Sequence, residues 1–110
     1  MTSGHYRDVQ ARLGVRPGVR VWVGGHNLEA KRAVASFLTG TVRAPDGPWD
    51  LAFITPEAPD EADYFLGKLA GRLPPGAKAW VVRAAGPDNA GDDAVRLSET
   101  FVAQLVSIHL

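Results

Sequence analysis

The chain has 110 residues, 45% hydrophobic and 22% charged, with twelve basic and twelve acidic side chains and a formal net charge of zero. That size and balance predict one globular domain over 1–110, and the lack of a basic run argues against nucleic acid as a partner. Cysteine is absent, which excludes disulfides, thiolate metal sites and cysteine nucleophiles. No stretch approaches the apolar length of a membrane span, and residues 1–9 lack the apolar core of a signal peptide. The expectation is a cytoplasmic protein with no membrane partner.

Tyr6, Val9 and Leu13 recur at helical spacing and predict a short amphipathic helix over 3–13. Gly14 is a natural stop, and Arg16-Pro17-Gly18 makes a turn. Residues 19–24 then read as a strand with Val19, Val21 and Val23 on one face and Trp22 on the other. Apolar groups on both faces suit a strand buried in a parallel sheet. Asn27 is a good N-cap for a helix running to Leu38, whose stripe of Leu28, Ala30, Ala33, Val34, Phe37 and Leu38 would pack on the sheet. Residues 41–43 read as a short edge strand.

Residues 50–55 form the second clear strand, stopped by Pro56. Asp60, Glu61 and Asp63 place negative charge at the next helix's N-terminus, where the dipole favours it. Ala62, Phe65, Leu66, Leu69 and Leu73 continue that helix until Pro74-Pro75-Gly76 breaks it. A third strand covers 77–83. The alternation of strands and helices predicts parallel pairing through right-handed crossovers. Residues 84–94 carry loop chemistry. The last sixteen residues fit either a helical stripe or a hairpin of 94–97 and 100–109; their β-branched residues favour the hairpin. The fold class expected is a three-layer α/β domain. Its mostly parallel sheet of three to four strands would carry helices on both faces and close with that hairpin.

Four passages resemble a known family. Residues 13–24, with Leu13-Gly14 and Pro17-Gly18 before the valine-rich strand, are similar to the opening of the DUF3052 domain of small bacterial proteins. The strand Trp49-Asp50-Leu51-Ala52-Phe53-Ile54 and the helix-to-strand passage 69–81, through Pro75-Gly76 to Trp80-Val81, match the same pattern, and 95–103 resembles its closing hairpin. The resemblance extends to the class I, S-adenosylmethionine-dependent methyltransferase fold. It implies a Rossmann-like architecture but not the cofactor. A working site of that kind has an acid in the first strand before a Gly-x-Gly turn. Here Trp22 stands in its place and Gly24-Gly25-His26-Asn27 replaces the glycine pattern. A second acid, at the end of the next strand, would bind ribose. Two further strand–helix units would need roughly 40 to 60 residues by ordinary element and loop lengths. Only residues 26–47 are available. The expectation is that the cofactor site is lost, the ribose-binding acid having no strand to sit on, and that no cofactor binds.

Ligands of open parallel sheets bind outside the carboxyl ends of the strands. Those ends carry Gly24, Gly25, His26, Asn27, Thr55, Glu57 and Arg83, which are the candidate ligand-binding residues. His26 as a general base would need a carboxylate, and Glu57 is the candidate partner; an exposed turn histidine is the commoner arrangement. His5 and His109 give no metal-ligand spacing, and Asp88, Asp92 and Asp93 lack the pattern of a calcium loop. No Gly-x-Ser-x-Gly elbow surrounds any serine. Trp22, Trp49 and Trp80 read as core, with Trp49 open to exposure beside Pro48. The apolar strand 101–110, placed at a sheet edge, would pair with a second chain and make a homodimer. The function expected is a non-catalytic, methyltransferase-like binding or self-association module. The alternative is a protein or enzyme binding a nucleotide-like or anionic ligand in the crevice; active methyl transfer is the third.

Overall fold

A computed structural model of the chain describes residues 3–86 and 93–106. It is a mixed α/β fold of three helices and a six-stranded sheet among those residues. The elements are α1 (Ser3–Leu13), β1 (Arg20–Gly24), α2 (Leu28–Ala35), β2 (Val42–Arg43), β3 (Leu51–Ile54), α3 (Pro59–Leu69), β4 (Lys78–Ala84), β5 (Ala94–Arg96) and β6 (Phe101–Val106).

Local chemistry sets most of these limits. Helix α1 ends in a Schellman arrangement: the Val15 amide donates to the Gln10 carbonyl at 2.8 Å and the Gly14 amide to that of Ala11 at 3.2 Å. The motif needs a left-handed residue, and Gly14 supplies it with φ 90°. Two Pro-Gly turns then launch strands. Val19 donates to Arg16 and Ala77 to Pro74, with Gly18 and Gly76 at positive φ. Proline followed by a glycine of positive φ is the type II signature. Asn27 caps α2, its side chain accepting from the Ala30 amide at 3.1 Å.

The strand order is β2-β1-β3-β4-β6-β5. Strands β1 to β4 pair parallel, β6 pairs antiparallel with β4, and β5 antiparallel with β6. Successive strand residues point to opposite faces, and two core clusters follow from that. Leu51 and Phe53 join Val21, Trp80 and Val82 in a cluster with α1 and α2 residues, including Leu13, Val34 and Phe37. Ala52 and Ile54 join Trp49, Ala79 and Leu69 of α3, with Trp22, Phe65 and Leu66 packed against them. Strand β3 is buried along its whole length, as its unbroken apolar run requires.

Several expectations need correction. The sheet has six strands in all: the parallel run of four, with the short edge strand expected at 41–43 as β2, matches the three to four expected, and the closing hairpin adds two. The tail forms the hairpin as far as Val106; the expected extension to 109, His109, Asp88 and Asp92 lie outside the described residues. Strand β6 is not an edge, because it lies between β4 and β5. The argument for a homodimer through β6 therefore loses its basis. Helix α3 stops at Leu69, before the prolines, with Gly71 at φ 83°; Leu73 is buried from outside the helix. Leu28 is 65% exposed instead of packing on the sheet. Trp49 is buried, and its indole N–H donates to the Ala44 carbonyl at 2.6 Å. No helix among the described residues is long and apolar enough to cross a membrane.

Candidate functional site

The parallel strands end at Gly24, Ile54 and Ala84, and the chain reverses direction of strand addition between β1 and β3. Such a switch point is where open sheets form a crevice. Here the loop from β1 to α2 is closed by the protein itself. The fully buried Thr55 donates its amide to the Gly24 carbonyl at 2.8 Å and its hydroxyl to the same oxygen at 3.1 Å. The Asn27 amide donates to the Thr55 carbonyl at 3.1 Å. The His26 amide donates to Glu61 Oε1 at 2.8 Å, and His26 Nδ1 lies 2.8 Å from Glu61 Oε2. The amides of His26 and Asn27 are thus engaged within the protein.

The two glycines are explained by close packing. A Cβ on Gly24 would stand 2.3 Å from the Trp22 indole, and one on Gly25 would stand 2.1 Å from the Thr55 carbonyl oxygen. Gly25 also has φ 132°, which few side-chain-bearing residues adopt. Neither glycine leaves a cradle open to a ligand.

His26 therefore has a carboxylate partner, but it is Glu61 and not Glu57. The hydrogen bond from His26 holds the Glu61 carboxyl below its ordinary range, against the opposing effect of burial. The backbone amide of His26, its charge and the amide of Glu57 add to that lowering. The imidazole is 74% exposed. This pairing ties the β1–α2 loop to the first turn of α3. From sequence, Glu61 reads only as a complement to the helix dipole. The missed signal is positional: Ala58 at the N-cap has no side-chain oxygen for the helix amides, and the glutamate three residues on turns to neighbouring loops.

Of the seven candidate residues, the crevice brings together Asn27, Glu57 and Arg83. They line a cavity of about 340 Å³ with Pro56, Val81 and Phe101. Gly24, Gly25, His26 and Thr55 lie outside its lining. Arg83 donates to Gln104 Oε1 at 3.1 Å. The next strand of the parallel run does exist, as β2, so the expectation that no strand could carry a ribose-binding acid is corrected. Its last residue is Arg43, opposite in charge to the acid that role requires.

A larger cleft of about 570 Å³ opens at the other end of the strands, where the sequence suggested nothing. The two Pro-Gly turns frame it. Val15, Val19 and Leu51 supply apolar lining, and Arg7, Arg16, Lys78 and Asp50 supply charge. Among the described residues no group of three or more histidines, aspartates or glutamates is placed to hold a metal. No family model, curated protein or solved structure matches the chain.

Proposed function

We propose that this chain is a non-catalytic, methyltransferase-like domain, a reduced relative of the DUF3052 proteins, that works as a binding or self-association module. The observation that carries the reading is the closed β1–α2 loop. Thr55 and Glu61 engage the carbonyl of Gly24 and the amides of His26 and Asn27. A cofactor pyrophosphate or carboxylate would have to displace these bonds, and each buried group left unpaired costs about 1–3 kcal/mol. Arg43 at the end of β2 adds to the case, since a ribose needs an acceptor there. The Rossmann-like, three-layer description belongs to the same reading; core clusters joining α1 with α2, and α3 apart from them, support it.

Titration calorimetry with S-adenosylmethionine and S-adenosylhomocysteine tests this proposal. No heat at millimolar ligand is the expected result. Micromolar binding would overturn it and return methyl transfer to the lead. Sedimentation velocity across a wide concentration range separates the two modes of the module. A concentration-dependent dimer assigns self-association, and a constant monomer assigns binding of another partner.

The 340 Å³ cavity favours a second reading, a nucleotide-like or anionic ligand held by Asn27, Glu57 and Arg83. Adenosine monophosphate is the probe. Binding that Arg83→Ala abolishes without unfolding the chain would support this reading; binding unaltered by that substitution would remove it.

A further inference from the structure

We infer that the cleft at the amino ends of the strands is a binding site for a small organic anion, a carboxylate or phosphate carried on an apolar body. Its volume, about 570 Å³, falls within the range of small-molecule pockets. Three cations line it, Arg7, Arg16 and Lys78, against one carboxylate, Asp50. None of the three side chains makes an ion pair or hydrogen bond with a described residue. Asp50 already accepts the Arg20 amide at 3.1 Å. The lining is therefore positive by two charges, three cations less one carboxylate, in a chain whose total is zero.

The neighbouring backbone opposes an anion less than a bare helix end would. A helix ends in carbonyls that repel negative charge, and α1 ends at this cleft. Its Gln10 and Ala11 carbonyls accept from Val15 and Gly14, and that of Leu13 accepts from the Trp80 indole at 3.1 Å. The stem of Lys78 passes over Gly14, where a Cβ would stand 3.7 Å from its Cδ. That places the ammonium-bearing chain of Lys78 beside the end of α1. Below the charges, Val15, Val19 and Leu51 offer an apolar bed. The carboxyl-end cavity lacks this excess. Its lining holds one cation, Arg83, already bonded to Gln104, and one acid, Glu57. The inference is independent of the proposed function, whose cofactor would be sought at the opposite end of the sheet.

The test is an amide-resolved NMR titration of the whole chain at low salt, with benzoate, phenyl phosphate and neutral benzamide. Both anions should give saturable shifts at Gly14, Val15, Leu51 and Lys78, weakened by high salt, and benzamide should give none. Phenyl phosphate binding the tighter assigns a phosphate ligand, and the reverse order assigns a carboxylate. Arg16→Gln and Lys78→Gln, both on exposed side chains, should each weaken binding roughly three- to fivefold, as exposed ion pairs do. Absence of saturable shifts, equal response to benzamide, or unchanged affinity in both variants would overturn the inference. Shifts confined to Asn27, Glu57 and Ala84 would overturn it equally, by moving the ligand to the other cavity.

Discussion

At Gly25, a φ of 132° and a carbonyl oxygen 2.1 Å from any added Cβ act together. The obstructing atom is backbone of the buried Thr55, so it cannot swing aside as a side-chain tip would. Gly25→Ala should cost about 2–3 kcal/mol of stability, read from urea unfolding. An unchanged midpoint would show that the loop is not locked on Thr55. At Glu61 the argument is one of pH. Its folded pKa is depressed below the ordinary 4.5, chiefly by the His26 hydrogen bond. A depressed acid stabilises the fold above its unfolded pKa and loses that contribution as pH falls through the folded value. Wild type should thus be more stable than Glu61→Gln near neutrality, with the gap closing in acid. A gap of constant size from neutral to strongly acidic pH would remove the His26–Glu61 pair from the account.

Elements are joined by polar ties as well as by packing, and Trp80 makes one of them. Its indole links β4 to the last residue of α1, while its ring packs in the cluster shared by α1, α2 and the sheet. Trp80→Phe should cost about 1–3 kcal/mol, because the buried Leu13 carbonyl loses its partner. Faster amide exchange in α1 should accompany that loss, and exchange unchanged in α1 would deny the tie. The elements were largely legible in the sequence. Residues 3–13 show helical spacing, and Val19 to Gly24 and Ala52-Phe53-Ile54 are apolar on both faces; these patterns report burial directly. Two features were not legible. The end of α3 depends on Gly71 adopting a positive φ before the prolines are reached. The exposure of Leu28, the first residue of α2, is the other. The candidate site was legible only in part, because Asn27, Glu57 and Arg83 sit at strand ends by simple order. The partnership of His26 with Glu61 joins residues 35 apart, and spacing carries no trace of it. The amino-end cleft is illegible in the sequence for the same reason, since it is assembled from α1 and two distant turns.

For the whole molecule, burial is graded across the sheet. Strand β3 is enclosed along its length between β1 and β4, while β2 at one margin has two residues, both exposed, Val42 by 44%. Native-state hydrogen exchange should therefore find the amides of Leu51 to Ile54 opening only with global unfolding, and those of β2 opening locally. Equal rates in β2 and β3 would contradict this gradient. Strand β6 has a consequence of another kind. Among the described residues it is the only sheet neighbour of β5 and the outer neighbour of β4. A polypeptide cut after Thr100 would lose one strand from its sequence but two from its sheet. The orphaned β5 would have no ladder, and the long flank of β4 would be left bare. Such a shortened chain becomes a template for uncontrolled stacking. The hairpin is in this sense a seal, and the chain remains sticky until it closes.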